Sequence, residues 1–500
     1  MKKYLLLATL PLLLGTYSFG QALDFHAVRA TIDFSDTLRS WDGFGFNYVE
    51  TFNDYHYSEG EGAQDYGGFN ILSEKDKKEI IDLTFGENGL KVALVKMFLG
   101  PNHQQEPHGA FDHEWSTKSM RYFVSEGVRL AKNQGRDVQI ITTLYGPPAF
   151  VTKQQENRGR DLDPNKKDIL YTYMADWVKY LQDNNFPIKY LSPHNEGEGW
   201  LRWDVDGRSG KAGDGHDYNL HWPREQVVDF VKDMPKVLKS MGIEGVKVTC
   251  GETYSWDRFD SWGYARSLAD DPQAIESLGL VTSHGFLNSG GFGQWNCRHT
   301  GEGNETIRAK RPDMHAWVTS TSWSKMDDHF AREIHSNIYT SEVNAIIPWA
   351  GINRPGTWGE YDPNPGAAFF VKPDSTYRVQ PGFYYYKQFT QAGQPGMQVV
   401  QSYDMDSEIA LTAFAEGESN NGNNFVLTNT GARDRKIEIT LKGLKDDKIA
   451  YEIFRTSEKK HTQFDENERY ECIGRIKSKD GKLVYDIPKK SVTTFMQVTN

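Results

Sequence analysis

Residues 188–196 read Ile188-Lys189-Tyr190-Leu191-Ser192-Pro193-His194-Asn195-Glu196. A short strand-like run ends in a Ser-Pro turn, and an amide and a carboxylic acid follow at once. Before the stretch, Leu170, Tyr173, Met174, Trp177 and Leu181 fall on one face at helical spacing, behind the N-cap pair Asp163-Pro164. After it, Val227, Phe230, Val231, Met234, Leu238 and Met241 mark a second helix, kinked by Pro235. Helix, strand, helix in this order is the unit of parallel β/α structure.

Working outward, the alternation extends from Trp41 to about Lys387. Seven further strand candidates join Ile188 to Ser192: Phe44-Gly45-Phe46, Lys91 to Phe98, Val138 to Tyr145, Val246 to Gly251, Leu280 to His284, Ala316 to Thr319, and Ala345 to Trp349. Eight strands close a (β/α)8, or TIM, barrel. Ser73 caps another of its helices, with Ile80, Leu83 and Thr84 behind it. After Pro395-Gly396 the texture changes to short alternating stretches, such as Ile437 to Leu441 and Val492 to Val498, split by Asn421-Gly422 and Asp480-Gly481 turns. This predicts an appended β-sandwich. The strand-like stretch Ala27 to Phe34 is expected to pair into it. The resulting division is a barrel over residues 41–390 and a sandwich over residues 24–40 plus 391–500.

Residues 1–20 are read as a signal peptide. Lys2 and Lys3 form the basic end, Tyr4 to Leu14 the apolar run, and Ser18-Phe19-Gly20 the cleavage site. The apolar run is too short to span a bilayer. The chain is expected to be secreted or periplasmic, monomeric and not inserted in a membrane. A net charge of −11, more negative still without Lys2 and Lys3, argues against nucleic acid or an anionic membrane as partner. The three cysteines, Cys250, Cys297 and Cys472, cannot all pair and build no disulfide framework. There is no CxxC or HExxH motif, and Asp204-Val205-Asp206-Gly207 lacks the remaining spacing of a calcium loop. No metal and no cofactor are expected.

Functional side chains of such a barrel project from the C-terminal ends of its strands. Asn195-Glu196 holds that position on the fourth. An acid beside an amide suits glycosidic bond cleavage: the acid protonates the leaving oxygen, and the Asn binds a sugar hydroxyl. The 13% aromatic content is compatible with sugar stacking but is also ordinary core composition.

Ser192-Pro193-His194-Asn195-Glu196 resembles the acid/base motif of glycoside hydrolase family 30, a clan A family of retaining barrels. Trp41-Asp42-Gly43-Phe44-Gly45 resembles that family's opening strand. Tyr145-Gly146-Pro147-Pro148-Ala149-Phe150 resembles its third-strand loop, and Tyr384 to Phe389 with Pro395-Gly396 its barrel-to-sandwich junction. The resemblance spans nearly all of the chain after the leader. It implies a glycosidase acting on a polysaccharide or oligosaccharide, with Glu196 as acid/base.

One departure stands out. The family's nucleophile is a Glu closing the seventh strand, in a Trp-x-Thr-Glu pattern. Here the run is Trp317-Val318-Thr319-Ser320-Thr321-Ser322, with no acid from Ala316 to Lys325. A serine hydroxyl is neutral and does not balance oxocarbenium charge, so a retaining site would lose orders of magnitude in rate. Three readings follow. Another carboxylate acts, Glu252 at the end of the fifth strand leading, in an inverting mechanism with water near Ser320. The substrate supplies the nucleophile. Or catalysis is lost and the barrel binds glycan only.

His284, Trp349 and Tyr145 end strands six, eight and three, and with Asn195 and Ser320 are candidate sugar contacts. Lys96 stands where the family often has Arg. Glu198 is read as lining the loop. Trp200 and Trp203 either stack on sugar or anchor that loop. Arg158, Arg160, Arg202 and Arg208 are candidates for an anionic glycan group, or solvated loop charge.

Overall fold

The computed structural model describes residues 27–52, 63–65, 67–200, 203–208, 219–287, 298–354, 366–446, 448–457 and 468–498. The signal-peptide reading, Cys297 and Arg202 lie outside the described residues. Eight parallel strands close a barrel: β1 (Gly43–Asn47), β2 (Leu94–Leu99), β3 (Gln139–Leu144), β4 (Ile188–Ser192), β5 (Lys247–Thr249), β6 (Leu278–Ser283), β7 (Ala316–Thr321) and β8 (Ala345–Pro348). All eight expected strands are present, with ends shifted by a few residues. Among the described residues, no helix is long and apolar enough to cross a membrane.

The flanking helices form where their caps predict. Asp163 accepts from Asn165 N and starts a 3-10 turn that continues as the helix Lys167–Asp183. That helix buries Leu170, Tyr173, Met174, Trp177 and Leu181 against the barrel. The Trp177 indole donates to Thr142 Oγ1 on β3 at 2.8 Å. Ser73 caps Glu74–Phe85 through Asp76 N. The helix Arg224–Ser240 runs through Pro235 without a break.

Strand alternation stacks the barrel interior in layers. On β2, Leu94, Lys96 and Phe98 point inward in turn; on β3, Ile141, Thr143 and Tyr145; on β8, Ala345, Ile347 and Trp349. The lowest layer is apolar, with Leu94, Ile141, Leu280, Trp317, Ala345 and Ile347 in one cluster. The uppermost is aromatic, with Phe98, Tyr145 and Trp349 packed edge to face. A polar layer lies between them. Asp42 ties down the barrel floor: its Oδ2 accepts from Trp317 Nε1 at 2.6 Å and lies 2.7 Å from His315 Nδ1.

The second domain is one continuous nine-stranded sheet. The strand Val28–Ser40 lies inside it, antiparallel to Gln398–Asp404 and parallel to Arg435–Lys442. The sheet rolls so that one edge strand faces Ser491–Gln497, near its other edge. Tyr485 on the edge strand Lys482–Ile487 packs on Phe495 at 5.1 Å, around a core that includes Ile32, Leu411, Leu427, Ile439 and Leu483. The two layers of this domain therefore come from a single rolled sheet.

Candidate active site

Every barrel strand sends a residue to the polar layer or its rim. Lys96, on β2, is the centre. An ammonium has three N–H bonds, and three oxygens receive them: Asn195 Oδ1 at 3.1 Å, Ser320 Oγ at 3.1 Å, and Glu252 Oε2. Asn47, ending β1, donates to the same Ser320 oxygen at 3.2 Å. Thr143 on β3 donates to Glu252 Oε1 at 2.5 Å. His284, after β6, bridges two carboxylates, with Nδ1 2.8 Å from Glu196 and Nε2 3.3 Å from Glu252. The imidazole therefore lies between the Glu196 and Glu252 oxygens that it bonds.

Ser320 reaches this network because β7 is irregular. Its pairing with β8 slips between Val318 and Thr321. Strict alternation from Trp317 would point Ser320 out of the barrel. The bulge turns it inward, a recurring use of bulges beside active sites.

Glu196 has φ +57°, a left-handed backbone that a non-glycine residue adopts at a cost of about 1–3 kcal/mol. Its neighbours hold it there. Glu196 N donates to Glu252 O at 2.7 Å, Glu252 N donates to His194 O at 3.1 Å, and Gly197 N donates to His194 Nδ1 at 3.0 Å. Burial pushes the His194 imidazole down to about 3, so it accepts as a neutral ring.

Gly251 permits this arrangement. It has φ +82°, and a Cβ there would stand 2.0 Å from His194 Nε2. Gly251→Ala is expected to cost about 2–4 kcal/mol in denaturant melts. A change under half a kcal/mol would show that His194 and Glu252 are not held this way.

The charges balance in pairs. Burial alone would raise the Glu252 carboxyl, but the Lys96 ammonium and His284 outweigh it and hold it at about 2. Burial would likewise lower His284, yet its bonds to Glu196 and Glu252 raise it above its ordinary 6.5. The sign follows by linkage. Glu252 contributes stability fully present above its ordinary 4.5 and lost as pH falls toward about 2. His284 contributes stability fully present below 6.5 and lost as pH climbs through its raised value. Thermal midpoints should therefore peak between pH 4.5 and 6.5. A midpoint that keeps rising into alkaline pH would contradict the His284 assignment.

The structure brings Glu196, Glu252, Asn195, His284 and Ser320 into one network and sets Tyr145 and Trp349 in the aromatic rim above it. It separates the other candidates. Glu198 turns away and binds Arg258 at 3.0 Å and Tyr254 N at 2.7 Å. Trp203 is buried and donates to Arg158 O at 2.8 Å, anchoring its loop, whereas Trp200 is 51% exposed. Arg160 is paired with Asp161, and Arg208 with Glu156. Asp204 to Gly207 forms a turn closed by its own backbone, with Gly207 N donating to Asp204 O at 2.8 Å. Asn47 and Thr143 are the residues that sequence reasoning missed. Each is a polar residue at an inward position of an apolar strand, which is the signal that could have found them.

No family profile matches the chain, and no curated protein matches it in sequence. Solved structures do match. The catalytic domain of a GH30 xylanase C from Talaromyces cellulolyticus aligns with TM-score 0.67 at 15% identity, over 94% of this chain and 100% of that one. A family 30 subfamily 8 xylanase from Clostridium acetobutylicum aligns with TM-score 0.65 at 18% identity, over 94% and 100%. An endo-beta1,6-glucanase aligns with TM-score 0.65 at 15% identity, over 95% and 94%. At these identities the likeness is one of fold: the chain has the barrel and side-domain architecture seen in GH30 xylanases and related glycoside hydrolases.

Proposed function

We propose that this chain is an exported glycoside hydrolase that cleaves a polysaccharide or oligosaccharide, with Glu196 as its general acid. One observation carries the assignment. Of Glu196, Glu198 and Glu252, the three glutamates that follow β4 and β5 most directly, Glu196 is the least enclosed, its side chain 5% exposed against 0% for Glu198 and 0% for Glu252. It lies at the C-terminal end of β4, in the same network as the aromatic rim's strands. His284 supports it chemically. As Glu196 gives its proton to the glycosidic oxygen, the His284 Nδ1–H, 2.8 Å away, is placed to hydrogen-bond the carboxylate left behind. The fold-sharing proteins named xylanase and endo-beta1,6-glucanase point to the same reaction class.

Glu252 enters this reading as a non-standard partner. An inverting partner acts through a water that attacks from the face opposite the acid. The anionic charge of Glu252 also fixes Lys96 and His284. One observation favours a second reading, a barrel that binds glycan without turnover. Glu252 is fully enclosed, both its oxygens are engaged, and a carboxylate held at about 2 is a weak base.

A glycan panel incubated with the purified protein, with the anomer of the first product followed by NMR, separates these readings. Inverted product supports hydrolysis with Glu252 as partner. Retained product rejects that partnership. Binding without release of reducing ends selects the second reading.

A further inference from the structure

The loop after β7 runs into the helix Asp328–Tyr339, and at that junction Asp327, Asp328 and His329 converge. One carboxylate oxygen from each aspartate and the imidazole Nδ1 lie within 4.8 Å of one another. His329 Nδ1 is 3.4 Å from Asp327 Oδ1 and 3.6 Å from Asp328 Oδ2. These spacings are long for hydrogen bonds. They match the edge of a tetrahedron with metal–ligand bonds of about 2.0–2.2 Å, which is about 3.3–3.6 Å.

A second observation points to a ligand. Asp328 is 3% exposed, and its Oδ2 is buried with no hydrogen-bond partner. Buried carboxylate oxygens without a donor are costly, and a bound cation is one of the few ways to satisfy them. Asp327 Oδ1 caps the helix through His329 N at 3.0 Å but retains lone pairs for a metal. A helix N-terminus repels cations, so two carboxylates are needed to overcome it. Two carboxylates and one imidazole form a mixed O/N donor set, which suits zinc or manganese better than calcium.

We propose that Asp327, Asp328 and His329 bind a divalent transition-metal cation of the zinc or manganese class, with water completing its shell. His329 is 54% exposed on its side chain, which opens a route from solvent. The three ligands are consecutive and follow no spacing motif, so sequence reasoning found no metal site. The ion would fasten the loop that carries Trp323. That indole donates to the carbonyl of Trp349, so the ion would also stiffen the aromatic rim. The proposal is independent of whether the barrel hydrolyses glycans.

The test uses the full chain, stripped with a chelator and dialysed against zinc or manganese. One equivalent should remain by elemental analysis, and the thermal midpoint should rise. Asp328→Asn and His329→Ala should each weaken binding at least tenfold by calorimetry. His329→Ala alters an exposed side chain, so it keeps the test valid if Asp328→Asn folds poorly. Failure of both ions to bind at one equivalent, or unchanged binding in both variants, overturns the proposal.

Discussion

Glu196→Gln is expected to lower turnover of a natural glycan by about 10²–10⁴-fold, while the thermal midpoint moves by no more than about 5 °C. The amide keeps an oxygen for the His284 Nδ1–H but has no acidic proton for the leaving sugar. Because main-chain bonds hold the strained turn, Glu196 N to Glu252 O and Glu252 N to His194 O, the substitution should not release it. Leaving-group dependence makes the result diagnostic. An activated aryl glycoside departs without protonation and should lose far less rate than the natural bond. Equal losses on both would show that Glu196 acts structurally. An unchanged rate on the natural glycan would remove it from catalysis.

Lys96→Met is expected to destabilise the protein by about 3–5 kcal/mol. The ammonium is fully buried between Glu252, Asn195 and Ser320. Removing it takes the ammonium from the buried Glu252 carboxylate, which keeps only Thr143 and His284, and takes a donor from Asn195 and Ser320, so desolvation is no longer repaid. Methionine fills similar volume, so the loss reports charge rather than a cavity. Adding Glu252→Gln should recover most of the loss, because the uncompensated charge goes with its partner. A double-mutant cycle by chemical denaturation reads this coupling directly. Additive losses would mean that Lys96 is not the counter-ion of Glu252.

The barrel was legible because its strands are continuous apolar runs and its helices carry caps such as Asp163 and Ser73. The roles inside it were less so. Glu196 and His284 could be placed because each follows a strand directly. Lys96 was placed among residues that shape sugar binding, and the structure makes it an internal counter-ion. Its partner Glu252 lies 156 residues away, and no local pattern announces such a pair. Glu198 was read as lining the loop, and its commitment to Arg258, 60 positions away, has no local pattern that announces it. Ser320 was identified as a missing carboxylate, but only the bulge on β7 explains how it faces Lys96.

The strand Val28–Ser40 has a consequence for biosynthesis. One of its two partners, Arg435–Lys442, emerges roughly 400 residues later, about 20–80 s at common translation speeds. The earliest strand of the described chain thus stays unpaired until nearly all else is made. The barrel can close without it. The side domain cannot, so its assembly is the final event, and an apolar edge must remain protected from other chains throughout the wait.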